Sequence, residues 1–163
     1  MINQTLIPEL QNDAAFTRKI LERVPFDHFG WKPHEKSTPL GHLAVHIAEL
    51  PGWISMTINS SELDLDKMNY KPTEVKSTEE LVQLLDQKVQ QALDALKGVS
   101  DENLKENWTL RRGETVLFTM PKVSVIRAMA IKHLVHHRGQ LSVYLRLLDI
   151  PVPGMYGPSA DEI

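Results

Sequence analysis

His133 and His137 stand four residues apart in a segment of helical periodicity, and both fall on its apolar stripe. That stripe runs Ile126, Ala130, His133, His137, Leu141, Tyr144, Leu148, in steps of three and four. A spacing of four sets two side chains on one helix face, one turn apart. Imidazoles directed into a packed interior need partners for their ring nitrogens. A divalent metal ion supplies one, since neutral imidazole is its commonest protein ligand. The chemistry within reach is metal binding and, through an open coordination position, Lewis-acid catalysis.

A third ligand has to come from another helix. His42 and His46, also four apart, lie in a second amphipathic segment whose apolar face is centred by Leu40, Leu43, Ile47, Leu50 and Ile54. At about 100° per residue, His46 lies roughly 70° from the centre of that face and His42 roughly 110°. His46 is the inward group and His42 an edge residue. On the other segment His136 flanks the stripe, while Lys132, Arg138 and Arg146 mark the wetter side. Glu49, three residues after His46, is the candidate general base or outer-sphere acceptor. Gln140, three after His137, is a candidate lining group. Each has an ordinary alternative: histidine pairs also occur as plain core or surface residues, and a neighbouring Glu or Gln as a solvated one. Trp53 and Tyr144 wall a cavity or fill the core. Trp31 and Trp108, beside loops, cap the ends of the assembly.

Several other chemistries are excluded. The 163 residues include no cysteine, which removes disulfides, thiolate nucleophiles and Cys-ligated zinc. A metal must be held by His, Asp, Glu or water, and a nucleophile must be water or an external thiol. No GxSxG, phosphate-loop or dinucleotide glycine pattern is present. A net charge of −3 with scattered Lys and Arg argues against a nucleic-acid partner. No apolar run approaches the roughly 20 residues that cross a bilayer, so no membrane partner is expected. The first residues, MINQTLIPELQNDAAF, lack a basic segment followed by an apolar one. A cytoplasmic protein is expected.

The elements that position these residues read as four helices. The first covers about Asn3–Arg23 and stops before Pro25, because a residue preceding proline disfavours the helical basin. Pro25–Ser37 is a loop on its Pro and Gly content. The second helix starts at Ser37 or Thr38 and runs towards Asn59, kinked or interrupted at Pro51-Gly52. Asn59–Lys76 is polar and irregular. The third starts at Ser77 or Thr78 with Glu79 and Glu80 next in the chain, and ends at Gly98. WTLRRGETVLFTM, between Asn107 and Met120, predicts a small hairpin turning near Arg112-Gly113. Pro121 opens the fourth helix, which reaches about Leu148, and Ile150–Ile163 is an irregular tail. The expected fold is all-α: a four-helix bundle in a single domain over residues 1–163, with a small hairpin before the last helix.

At these residues the chain resembles the DinB/YfiT-like family of metalloenzymes. The resemblance rests on LGHLAVHIAELPGW, on HLVHHRGQLSVYLR, on the tail PVPGMYGPSADE and on the early loop WKPHEKS. It spans nearly the whole chain. It implies a four-helix bundle with a divalent metal, zinc or nickel, held by three histidines; by motif position these are His46, His133 and His137. It further implies, for some members, transfer chemistry with a low-molecular-weight thiol as cosubstrate, for others hydrolysis, and frequent dimerisation. Two functions are expected from this. One is a metal-dependent enzyme acting on a small molecule by thiol S-transfer or by metal-activated-water hydrolysis, working as a homodimer. The other is a non-catalytic metal-binding stress-response module, in which the ion mainly clamps helices two and four together.

Overall fold

In the computed structural model, which describes residues 1–163, the expected helices form where the apolar spacing places them. Helix α1 is Asn3–Leu21, α2 is Leu40–Glu49, α3 is Gly52–Asn59 and α4 is Thr78–Gly98. Ser77 caps α4, its hydroxyl accepting from the Glu80 amide while the Glu80 carboxylate accepts from the Lys76 amide. Pro51 separates α2 from α3, because it has no N–H to continue the helical ladder. The chain then runs through β1 (Glu62–Asp64), the short α5 (Asp101–Lys105), β2 (Asn107–Arg112) and β3 (Thr115–Pro121). The last helix has three parts: α6 (Lys122–Val125), a π-helical stretch (Ile126–Lys132) and α7 (His133–Leu147).

The helices form a ring. Helix α1 packs on α4, α4 on α2 and α3, α2 on α7, and α7 back on α1. Two apolar layers fill it. In one, Ile20, Leu21, Leu43, Ile47, Leu81, Leu85, Leu141 and Leu145 meet; in the other, Leu6, Leu10, Ile54, Ala92, Leu96, Ile126, Ala130 and Ile131. Along the chain, His46 lies between Leu43 of the first layer and Ile54 of the second. His133 and His137 likewise lie between Ile131 and Leu141.

Three expectations are corrected. The fold is not purely all-α, because the hairpin belongs to a three-stranded sheet of order β1-β2-β3. Its third member, β1, lies within the stretch expected to be irregular and pairs parallel to β2, Leu63 opposite Leu110. Three residues are too few for an alternation to register, yet they occupy an edge of β2 that would otherwise present unpaired backbone groups. The hairpin itself forms, and Gly113 takes φ +53° at its turn. Trp108 is not a peripheral cap. It sits on β2, fully buried, with its indole N–H donating to Ser60 Oγ at 2.9 Å.

Arg138 is the third correction, being 2% exposed rather than on the wet side. Its guanidinium donates to the Asp13 carboxylate and carbonyl, the Thr17 hydroxyl and the Tyr156 hydroxyl. It also sits 5.6 Å from the ring centres of both Phe16 and Tyr156. All of these partners come from α1 and the tail, so no pattern within the last helix announces them. The tail is irregular as expected, but it is tied down. Asp161 accepts from Arg146 and the Val152 amide, and Glu162 from the Gly154 and Ser159 amides. Replacing Arg138 by Met should cost about 3 kcal/mol, since it strands the Asp13 carboxylate beside a buried site. Urea unfolding of the variant measures this; a loss below about 1 kcal/mol contradicts the assigned role of the guanidinium.

Candidate metal centre

A regular helix would carry the stripe through Ile126 and Ala130 straight on to His133 and His137. The π-helical stretch changes the phase. Each such turn takes in an extra residue, which rotates the downstream helix by roughly 100° relative to a regular one. The buried positions of α7 are consequently Leu134, Arg138, Leu141 and Leu145. His133 and His137 move to the edge of that face, half-buried and turned toward α2. There they meet His46, on the last turn of α2 just ahead of the break at Pro51.

The three rings form a compact cluster. Ring centres are 5.1 Å apart for His46 and His133, 4.8 Å for His46 and His137, and 4.6 Å for His133 and His137. One nitrogen from each ring falls within 4.8 Å of the others. Three donors on one ion, with bonds of about 2.0–2.1 Å, sit about 3–4 Å apart, so small ring rotations close the set. The outer nitrogens report on the tautomers. His137 Nδ1 is 2.6 Å from Gln140 Oε1, an acceptor, a contact that favours the tautomer with the proton on Nδ1. His133 Nδ1 is buried and makes no hydrogen bond of ordinary geometry, although the Met129 carbonyl one turn back favours its protonated form. A proton on each outer nitrogen would leave the lone pairs on the inner ones. Those inner atoms, Nε2 of His133 and Nε2 of His137, face each other at 2.8 Å.

Burial disfavours the charged form of His46 and of His133. Burial, with the His137 and His133 rings adding to it, pushes the His46 pKa down to about 4, against a smaller opposing pull from Glu49. Burial, helped by His137, also lowers His133. Neutral imidazoles with converging nitrogens are the donor set a borderline divalent ion takes, so the residues present fit such an ion.

The other candidate residues take different places. His42 and His136 are exposed, His136 with its ring 4.9 Å from that of His137. Gln140 Oε1 contacts the outer nitrogen of His137. Glu49 lies in the wall beside His46 and is hydrogen-bonded. Its carboxylate accepts from the Tyr70 hydroxyl at 2.5 Å, from the Thr73 hydroxyl at 2.6 Å and from the Thr73 amide at 3.0 Å. Burial and this bond to Glu49 raise the pKa of Tyr70 well above the usual phenol value. Glu49 thus pins residues 65–76 as a strap across α2. The strap, α2, α3 and α4 border an open cavity of about 450 Å³, with His46, Glu49, Leu50, Trp53, Met56 and Tyr70 in its wall. The strap and the Met129 carbonyl carry no signal in a single sequence, since neither lies on a periodic face.

Replacing Glu49 by Ala removes all three strap hydrogen bonds. Bonds to a carboxylate contribute about 1.5–3 kcal/mol each, so proteolysis within residues 65–76 should accelerate about tenfold or more. Timed digestion followed by mass spectrometry reads this, and an unchanged cleavage pattern contradicts the strap.

The same fold occurs in a known family. The chain matches the DinB family over residues 1–163. It is 28% identical over 154 residues to the uncharacterised protein YrdA of Bacillus subtilis (strain 168), covering 92% of this chain and 85% of that one. Its fold is similar to that of the DinB-like protein YjoA of Bacillus subtilis, with a TM-score of 0.70 at 20% identity, over 90% of this chain and 96% of the other. A DinB-like protein from Bacillus cereus ATCC 10987 gives 0.65 at 22% identity, over 90% and 92%. With the family matching from end to end and the fold shared with its solved structures, the chain belongs to the DinB family.

Proposed function

We propose that this protein is a divalent-metal-dependent enzyme acting on a small molecule, with His46, His133 and His137 as the three ligands. The observation that carries the reading is the pair of inner nitrogens of His133 and His137, 2.8 Å apart, while their outer nitrogens turn toward acceptors or are left unpartnered. A shared cation resolves that arrangement. Zinc or nickel suits three neutral imidazoles. When bound, the ion supplies Lewis acidity that activates a small thiol for S-transfer or a water for hydrolysis, transfer being the preferred reading.

The protein's own residues set the rest. Gln140 holds the His137 ring in the tautomer that presents Nε2 inward. Leu50, Trp53 and Met56 line the cavity beside His46 and exclude water from one side of it. Tyr70, held by Glu49, forms part of the opposite wall. That cavity favours catalysis over the alternative, a clamp in a non-catalytic metal-binding module, because a clamp has no need of a space beside its ligand. The chain contains no cysteine, so a thiol has to come from a cosubstrate. Full activity as a cytoplasmic homodimer belongs to the same proposal.

Tag-free protein should carry about one zinc or nickel per chain, and His46→Ala, His133→Ala and His137→Ala should each lower occupancy at least tenfold while remaining folded. Elemental analysis with circular dichroism decides this; folded wild type that takes up neither metal contradicts the reading. In cobalt-substituted protein, a small thiol should shift the visible absorption. A spectrum insensitive to thiol overturns the transfer chemistry and leaves hydrolysis.

A further inference from the structure

The cavity beside His46 has two further residues in its wall, Lys71 from the strap and Lys88 from α4. They reach the same space from separate elements, and neither forms an ion pair with an acidic side chain. They share this with other lysines such as Lys32, Lys36 and Lys76, whereas Arg18, Arg111, Lys122, Arg127, Arg138 and Arg146 have carboxylate partners within 4.0 Å; what sets Lys71 and Lys88 apart is their place in the wall beside His46. The one acid in the cavity wall is Glu49, and its oxygens are taken by Tyr70 and Thr73. Lys88 is half-buried and set in place by its stem. A Cβ added at Gly52 would come within 3.3 Å of Lys88 Cδ, so the lysine stem lies against the start of α3.

The rest of the wall is of different character. Leu50, Trp53, Met56 and Met68 make it largely apolar and deformable. A space of about 450 Å³ falls within the range that holds a small organic ligand. Two ammonium groups against one occupied carboxylate leave the cavity with a surplus of positive charge before any metal charge is added.

We infer that Lys71 and Lys88 are the specificity-determining pair of this cavity, and that they select small organic carboxylates with an apolar body. The carboxylate lies between the two ammonium groups, the apolar part against Trp53 and Met56, and the far end toward His46. The inference rests on the cavity being the substrate pocket of the metalloenzyme proposed above. Its test does not depend on metal occupancy. Because Lys71 rides on the strap, the same contact couples ligand binding to the order of residues 65–76.

The probe is 4-phenylbutyrate, compared with its uncharged amide, each titrated by calorimetry into metal-loaded and chelator-treated protein. The acid should bind about fivefold tighter than the amide in both preparations, the gain that partly exposed ion pairs supply. The Lys71→Gln/Lys88→Gln double variant should lose that preference, and Lys88→Arg should keep it. Equal binding of acid and amide overturns the inference, as does failure of both to bind at millimolar concentration. A preference that survives the double variant, or that appears only in metal-loaded protein, also overturns it, since the cation recognised is then not the lysine pair. Failure of the metal reading itself would show as absent metal uptake and would leave the comparison in chelator-treated protein intact.

Discussion

Two imidazole nitrogens 2.8 Å apart must share a positive charge or surrender one of their preferred tautomers, and the middle of this bundle is arranged around that constraint. Gln140 favours the proton of His137 on the outer nitrogen. His133 has its outer nitrogen buried near a backbone carbonyl, with no better partner to exchange for. His46 approaches from α2, kept neutral by burial, and completes a trio that faces inward. Burial alone would make such a cluster costly; a cation between the rings would offset that cost.

Both helices that carry the trio are irregular where they carry it. Helix α2 ends at Glu49, three residues beyond His46, because Pro51 cannot extend the ladder. The last helix changes from π to α geometry at His133. Departures from regular helix of this kind cluster at functional sites. Here they have a spatial use: the π stretch itself contributes Ile126, Ala130 and Ile131 to the second apolar layer, and the phase change after it brings His133 and His137 to His46. The cavity opens beside His46, where the short α3 and the strap replace continuous helix.

The sequence is most legible where periodicity and chemistry coincide. The face of α2 separates His46 from His42 by angle, and the structure has His42 exposed and His46 in the cluster. His133 and His137 converge with it as the stripe suggests, but by another route, since the stripe assumes a regular helix and the π stretch rotates the face. Nothing in IRAMAIK, which has neither proline nor glycine, marks that change. Arg138 misleads for a related reason: a charged residue reads as wet unless its partners are known, and Asp13, Thr17 and Tyr156 are all remote in sequence. The tail motif YGPSADE carries much of the family resemblance, yet its contacts are structural. Tyr156 closes over Arg138, while Asp161 and Glu162 bind the backbone of their own turn. Family membership is therefore readable from residues that hold the bundle's end, and the candidate chemistry from others that lie between its layers.

If the inner nitrogens of His133 and His137 share an ion with His46, the tautomer of each ring reports it. Long-range proton–nitrogen NMR of uniformly labelled protein, with and without added zinc, reads all three rings at once. Zinc should fix His133 and His137 as Nδ1–H tautomers with Nε2 shifted by coordination, and the His46 ring should shift with them at one equivalent. Ring signals for all three that do not respond to zinc, or a His137 that keeps its proton on Nε2, would contradict a shared ion.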